Sequence, residues 1–339
     1  MQNNTSSIVL NNVTVIDHAY IDNEGNVVGG SFQASFHVQG KIDQKEKVVV
    51  DFSTIKKSLK ELVDDNEEGF DHKLWIINGY SNISSVSHIN NTLCIETPQI
   101  NMETPLNAIK FIHNISDLLI PNYDVDFISF CISDFLQEKL QKIYPDIEIH
   151  VNTILTTEIG ITDLYGYKLC EPRFFRYVHG LKDSTSWGCQ NIAHGHLSFI
   201  AAYTIPRETT QESYSKAIQV LNEIVDYMDS IIFINNENIT QVDDFKQIIS
   251  YTTNRGYFEM VLKNKYTRRI ILETETTIEF ITEFVKQRFG QKLYDAGVRK
   301  IIVSEGLTKG SIIDISSNAE NTTFKCPKTE ELYNNFLST

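Results

Sequence analysis

The chain predicts an α+β fold of two tandem β-β-α-α-β-β units, residues 1–170 and 171–339, each an antiparallel sheet with helices on one face. Three observations carry that expectation. Runs of alternating or β-branched residues recur between polar turns, as half-buried strands require. Four longer runs place their apolar residues three and four apart, the spacing of an amphipathic helix. The second half then repeats the order of the first, with matched landmarks at His18 and His179, Asp71 and Asp229, Asp124 and Thr276, and Glu158 and Glu305. The separation within these pairs shrinks steadily along the chain, as short deletions in the second copy of a duplication produce.

In order, residues 8–20 and 30–42 read as two strands, the second with clear alternation. A polar turn leads into a helix in which Ile55, Leu59, Leu62 and Val63 share a face, with Asp51 or Ser53 as cap. FDHKLWII follows, and then a strand pair, TLCIETPQI and NAIKFIH. A second helix, DFISFCISDFLQEKLQKIYP, ends at Pro145, where the proline ring stops it. IEIHVNTILTTE and ITDLYGYKL complete the first unit as strands. From residue 174 the order returns as FFRYVHG, HLSFIAAYTI, the helix SYSKAIQVLNEIVDYM and MDSIIFI. The strands GYFEMVLKN and TRRIILETE, the helix TIEFITEFVKQRFGQKLYDAG, RKIIVSEG and SIIDIS end the unit, and the polar tail after Ser316 is expected to fray.

Composition narrows the function. The 339 residues are 41% hydrophobic and 11% aromatic, enough for a sizeable core in each unit. A net charge of −14 without basic patches argues against nucleic acid or an anionic membrane as partner. No apolar run reaches the roughly 18 residues of a membrane span, and the N-terminus lacks the basic and apolar regions of a secretory signal. Five scattered cysteines without C-x-x-C spacing suit reduced thiols, so a soluble cytoplasmic protein is expected.

The chemistry concentrates between Phe175 and Phe199. His194 and His196 stand two apart on a strand and so leave the same face, and His179 ends the preceding strand, which a hairpin return would bring opposite them. By spacing alone His-Gly-His is more often a hydrogen-bonded pair than a metal site. The upstream His179 completes three imidazoles with an open fourth position, which is what a catalytic zinc requires. Cys189 as a fourth ligand would close the site, so it fits better as a thiolate base beside the metal. Asp71 and His72 form a carboxylate–imidazole pair of the kind that moves protons. Each unit also carries a glutamate on its late strand, Glu158 and Glu305.

F-x-x-x-H, a cysteine, and H-G-H before a hydrophobic strand resemble the signature of the 6-pyruvoyl-tetrahydropterin synthase and 6-carboxytetrahydropterin synthase family. VVVDFSTIKK and FDHK likewise resemble its V-D-F and L-D-H-K segment, and the resemblance covers residues 8 to 315. It implies a tunnelling fold, in which such units assemble side by side into a barrel, here as a homo-oligomer of three chains giving six units. It implies zinc on His179, His194 and His196, catalysis by Cys189 with Asp71 and His72, and a pterin ring anchored by Glu305 or Glu158. The first copy reads Val28-Gly29-Gly30 at the H-G-H position and keeps His18 alone of the ligand set, while the second copy reads Asp229-Ser230 where the first has Asp71-His72. Complementary loss of this kind predicts a composite site drawing on both copies.

The implied activity is a zinc-dependent lyase converting 7,8-dihydroneopterin triphosphate, with triphosphate elimination and side-chain cleavage, to 6-carboxytetrahydropterin on the 7-deazaguanine route to queuosine. The alternatives are formation of 6-pyruvoyl-tetrahydropterin, a zinc-dependent hydrolase or aldolase acting on another pterin or purine, and a non-catalytic pterin-binding or scaffold protein. Lys73, Lys182 and Arg207 are the candidate triphosphate ligands.

Overall fold

The structure, a computed structural model, describes residues 5–317 apart from 43–47, 50, 90, 114–121, 146–147, 162, 243–245 and 264–266. The expected tail beyond residue 317 lies outside the described residues.

The first half runs β1 (Thr5–Ile21), β2 (Val27–Lys41), α1 (Phe52–Val63), β3 (Lys73–Ile77), β4 (Ser85–Ile89), β5 (Thr92–Glu96), β6 (Ile100–Pro105), β7 (Ile109–Ile112), α2 (Val125–Ile143) and β8 (Ile149–Thr156). The second runs β9 (Lys168–Leu169), β10 (Arg173–His179), β11 (His194–Thr204), α3 (Gln211–Met228), β12 (Ile231–Asn235), β13 (Ile239–Val242), β14 (Gln247–Thr253), β15 (Gly256–Leu262), β16 (Arg269–Leu272), α4 (Ile278–Asp295), β17 (Val298–Glu305) and β18 (Lys309–Asp314). No helix among the described residues is long and apolar enough to cross a membrane.

All four helices lie where periodicity places them. Asp51 caps α1 by accepting from Thr54 N–H, Asp124 caps α2, and Thr210 with Ser213 forms a reciprocal box at α3. Each helix turns its apolar stripe onto one sheet. Ile55, Leu59 and Val63 of α1 and Ile128, Ile132, Leu136 and Leu140 of α2 pack on Ile16, Phe36 and Trp75, and α3 and α4 cover Tyr177, Ile200 and Val303 in the same way. At about 1.5–3 kcal/mol for each fully buried aliphatic or aromatic side chain, these two layers are the main driving force for each half.

The first sheet has the order β7-β3-β1-β2-β8 and the second β16-β12-β10-β11-β17-β18, so corresponding strands take corresponding places. Neither sheet is wholly antiparallel as expected, because β3 and β7 join parallel to β1, as β12 and β16 join β10. β4, β13, β14 and all but the first residue of β6 lie outside the predicted strand runs, and they join β5 and β15 in a third sheet of order β13-β14-β15-β6-β5-β4. Its centre is the antiparallel pairing of β15 with β6, so one continuous ladder ties the halves together.

The two main sheets meet across their helix-free faces. A Cβ on Gly29 would lie 2.2 Å from the Tyr177 carbonyl oxygen and 2.5 Å from the His196 nitrogen, and one on Gly195 would lie 2.7 Å from Cα of Gly29. Backbone touches backbone there, far closer than the roughly 10 Å at which sheets usually stack. Glycine is required on both sides.

The pairing registers correct three expectations. His18 lies opposite Gly30 and Lys73, as Tyr177 lies opposite His196 and Ile231, so His18 corresponds to Tyr177 and the counterpart of His179 is Tyr20. The chain leaves the first sheet at Thr156, and Ile159, Ile161, Leu164 and Leu169 pack on Phe199, Ala201 and Tyr203, with β9 pairing to β11. Residues 159–169, drawn with the first unit, thus pack on the sheet of the second half. The outer edge of β8 is also covered, since Gln137 of α2 bonds to Ile149 O and Val151 N, and Ser133 accepts from Thr153 N at 2.8 Å. Barrel closure through that edge would have to displace these side chains.

Candidate functional site

β10 and β11 pair with His179 opposite His194 and Tyr177 opposite His196. Alternation sends all three imidazoles to the helix-covered face, where they are fully buried, and their ring nitrogens lie within 4.8 Å of one another. His179 Nδ1 is 2.7 Å from the carbonyl of Thr276, the residue two before α4. A carbonyl only accepts, so Nδ1 carries the proton and Nε2 offers a lone pair. That Nε2 faces His196 Nε2 at 3.2 Å. His196 Nδ1 is 3.3 Å from Asp17 Oδ1 of β1, an approach oblique for a hydrogen bond but close for an ion pair. His194 has neither ring nitrogen hydrogen-bonded, although both are buried.

Buried polar groups without partners cost about 1–3 kcal/mol each, and both ring nitrogens of His194 stand in that condition. A cation held among the three rings removes that penalty. Burial brings His179 down to about 3 and His194 well below the usual imidazole range, so both are neutral ligands at pH 7. The donor set therefore fits a divalent ion such as zinc on His179, His194 and His196.

His72 arrives from the first half. It occupies the turn before β3 at φ 55°, left-handed backbone that places its ring beneath the Cys189 loop. The turn is held by its own aspartate, since Asp71 Oδ1 accepts from Asp17 N–H at 2.8 Å and Oδ2 lies 2.5 Å from His72 Nδ1. The second half repeats the device at Asp229 and Ser230, with Ser230 at φ 58° and Asp229 Oδ1 accepting from Arg176 N–H at 2.7 Å. The aspartate is thus a turn-former in both halves, and the imidazole is what distinguishes the first.

Cys189 sits in the short helical turn between β10 and β11, half-buried. His72, Cys189 and His194 offer ligand atoms within 4.8 Å of one another, and His72 stacks on His194 with ring centroids 4.3 Å apart. Burial opposes charge on both partners, but Asp71 and Cys189 together raise His72 well above its ordinary value, and the hydrogen bond from His72 lowers the Cys189 thiol. The two shifts favour a thiolate beside an imidazolium, an ionised base next to a protonated acid.

Glu305 ends β17 beside the trio, with Oε1 3.9 Å from His196 Nε2 and Oε2 3.0 Å from Lys309 Nζ. Burial would raise its carboxyl, but His196 and Lys309 hold it below the usual range. Glu158 is not brought to the cluster. Register makes Thr157 the counterpart of Glu305, and Glu158 is exposed, contributing its backbone carbonyl to Gln33. A one-residue slip turns a side chain to the other face. Lys73, expected as an anion ligand, is buried and donates to the carbonyls of Asn66, Glu67 and Asn107. Arg207 is exposed and Lys182 half-buried.

Sequence reasoning passed over the residues that hold the two halves of the site together. Arg255, at the β14–β15 turn, is buried and donates to the carbonyls of His72, Trp187, Gly188 and Asn107. Asn191 donates to the carbonyls of His72 and Ala108. A Cβ on Gly188 would lie 2.6 Å from the His72 ring. No motif marks these positions, because their partners are carbonyls brought near only by the third sheet.

Acid stability tests the neutral, buried state of the imidazoles. His18 and His179 fall to about 3 and His194 well below its ordinary value, against 6.5 in the unfolded chain. A histidine with a depressed folded value contributes stability that is present above 6.5 and lost as pH falls toward the folded value, by up to about 1.4 kcal/mol per pH unit each. The raised His72 does not offset this, because its contribution is already complete below 6.5. The urea midpoint of the metal-free chain is expected to drop steadily from pH 6.5 to 5. An unchanged midpoint over that range would rule out neutral buried imidazoles.

No protein-family model matches the chain, and no curated protein matches it. Among solved structures it is similar to 6-pyruvoyltetrahydropterin synthase of Plasmodium vivax at 15% identity, covering 45% of this chain and 98% of that one with a TM-score of 0.33. A catalytic-residue mutant of that enzyme matches at 16% identity with the same coverage and TM-score. The Plasmodium falciparum enzyme is similar at 17% identity, again over 45% of this chain and 98% of that one, with a TM-score of 0.32.

Proposed function

We propose that this chain is a zinc-dependent lyase of the 6-carboxytetrahydropterin synthase type, acting on 7,8-dihydroneopterin triphosphate or a close relative. The observation that carries the reading is the meeting of His72 and Cys189, from opposite halves, beside three buried imidazoles of which His194 has both ring nitrogens unpartnered. A general base, a general acid and a Lewis-acid position within a few ångströms of one another are what elimination from a polyhydroxylated side chain needs.

His179, His194 and His196 would hold the ion, which supplies Lewis acidity at substrate hydroxyls and so acidifies the neighbouring C–H. The Cys189 thiolate takes that proton. His72, held by Asp71, donates a proton to the departing fragment. Glu305 fixes the heterocycle, since a carboxylate facing a ring N–H and an exocyclic amine makes two charge-assisted hydrogen bonds. Lys309 keeps Glu305 ionised until the ring arrives, because its own side chain is half exposed and free to withdraw. The composite site needs no second chain for these groups; the homo-oligomer of three chains, and a barrel built from the open sheet edges, belong to the same proposal.

Purified protein loaded with zinc and incubated with 7,8-dihydroneopterin triphosphate is expected to release triphosphate and acetaldehyde and to yield 6-carboxytetrahydropterin by mass. A product retaining the three-carbon side chain would move the assignment to 6-pyruvoyl-tetrahydropterin synthase. Intact substrate with zinc bound would end the lyase reading.

A further inference from the structure

The three imidazoles that converge in the second half are completed by a carboxylate from the first. We infer that Asp17 is a positioning residue for the cation site, orienting His196 and countering the charge of the bound ion. This rests on the cation reading of the trio and not on the lyase chemistry.

Asp17 lies on β1 between Ile16 and His18, which face their own helices, so its side chain leaves the opposite face, toward the second sheet. It is 2% exposed, and Oδ1 reaches His196 Nδ1 at 3.3 Å. Ser31, opposite Asp17 on β2, donates to the same oxygen at 2.5 Å and accepts from Leu197 N–H at 3.0 Å, so one hydroxyl ties the carboxylate to the backbone beside His196. Gly306, the residue after β17, closes the site, since a Cβ there would lie 2.5 Å from Oδ1. The approach is possible only because Ala19, Gly29 and Ser31 are small where the sheets touch.

The main chain of Asp17 has a second task. Its N–H donates to Asp71 at 2.8 Å and its carbonyl accepts from His72 N–H at 2.6 Å. One residue thereby fixes the His72 turn through its backbone and His196 through its side chain. The corresponding residue in the second half is Arg176, which bonds Asp229 and Ser230 by the same two backbone links but carries the opposite charge. Backbone geometry therefore does not demand a carboxylate at this position. What demands it is the cluster it faces.

The charge balance agrees. Glu305 pairs with Lys309 and Asp71 with His72, and Asp17 is a third buried carboxylate, set against His196. Such an anion is costly alone and favourable beside a divalent cation. A carboxylate behind a ligating imidazole also favours the proton on Nδ1 and sharpens the lone pair on Nε2, an arrangement whose loss typically weakens metal binding about 10–100-fold.

The full-length protein, zinc removed, is titrated with Zn²⁺ against a chromophoric chelator and with Co²⁺ by visible absorption. Asp17→Ala is expected to weaken Zn²⁺ about 10–100-fold and to alter the Co²⁺ d–d bands. Asp17→Asn, which keeps the shape and one accepting oxygen, is expected to fall between the two and answers the question if the alanine variant does not fold. In ¹⁵N NMR the His196 ring of the zinc-loaded protein should carry its proton on Nδ1 in the unsubstituted chain and show a shifted Nδ1 resonance in Asp17→Asn. Affinity within twofold of the unsubstituted protein in both folded variants, with an unshifted ring, would overturn the role of Asp17. Failure of the unsubstituted chain to bind either ion would instead overturn the cation reading, whatever the lyase assay gives.

Discussion

Replacing His72 with asparagine is expected to lower turnover about 10²–10⁴-fold while zinc stays bound at its original affinity. Asparagine is the informative substitution because it tolerates left-handed backbone, so the φ of 55° at this turn survives. An alanine would confound lost proton transfer with a strained turn. The His72 ring is what lowers the Cys189 thiol, so that shift should vanish with the ring. Cys189 in the variant should therefore be alkylated more slowly by iodoacetamide at pH 7, with its reactivity rising only as pH approaches the ordinary thiol range near 8.5. Adding Cys189→Ala to His72→Asn should cost little beyond either change alone, because the two act as one proton-handling unit. Undiminished turnover in His72→Asn would remove the first half from the reaction.

How much of this was legible in the chain follows from where each signal resides. The histidine trio was readable because strand alternation is local, so i and i+2 share a face whatever the rest of the fold does. Cys189 and the Asp71–His72 dipeptide were readable as residue types with chemistry, and their convergence was anticipated from complementary loss between the halves. The errors are errors of register. His18 looked like the remnant of a ligand set, but a two-residue offset makes it a core imidazole stacked on Trp75 at 3.6 Å, with Nε2 2.5 Å from the Tyr123 hydroxyl. Glu158 failed by a single residue. Offsets counted along the chain absorb insertions of one or two residues, and sheet pairing does not. The third sheet was missed in part because β4 is a run of exposed residues without an apolar face. Asp17 stood beside His18 in plain view, yet only the meeting of the two sheets gives its carboxylate a partner.

The same meeting explains why the three imidazoles and His72 gather in one cleft and not in two. Packing two sheets across Gly29 and Gly195 creates two related clefts, and a substitution useful in one appears in the other only if both halves change. Tyr20, Val28 and Gly30 take the places of His179, His194 and His196, Ser230 that of His72, and Arg176 that of Asp17. All five of these positions differ between the clefts, while the turn-forming aspartate, Asp71 in one and Asp229 in the other, is kept. A cluster of buried imidazoles is a stability burden wherever no cation relieves it, so the second cleft has a physical reason to fill with aromatic and aliphatic groups. Tyr20 and Tyr123 stack there at 4.2 Å.

That burden gives the last prediction its size. His194→Leu is expected to reduce bound zinc from one ion per chain to none, because two remaining imidazoles cannot hold it at micromolar concentration. Its effect on stability should reverse with the state of the reference. Compared with the zinc-loaded protein the variant should be less stable, since the free energy of ion binding is lost from the folded state alone. Compared with the metal-free protein it should be more stable by about 1–3 kcal/mol, because leucine of similar volume replaces two buried nitrogens that have no partner. The urea midpoints of the variant, the chelator-treated protein and the zinc-loaded protein, measured at pH 7, order the three states directly. The expected order is chelated below variant below loaded. If the variant instead falls below the chelated protein, the unpartnered nitrogens of His194 are satisfied without an ion, and the central reason for placing a cation between the three imidazoles is gone.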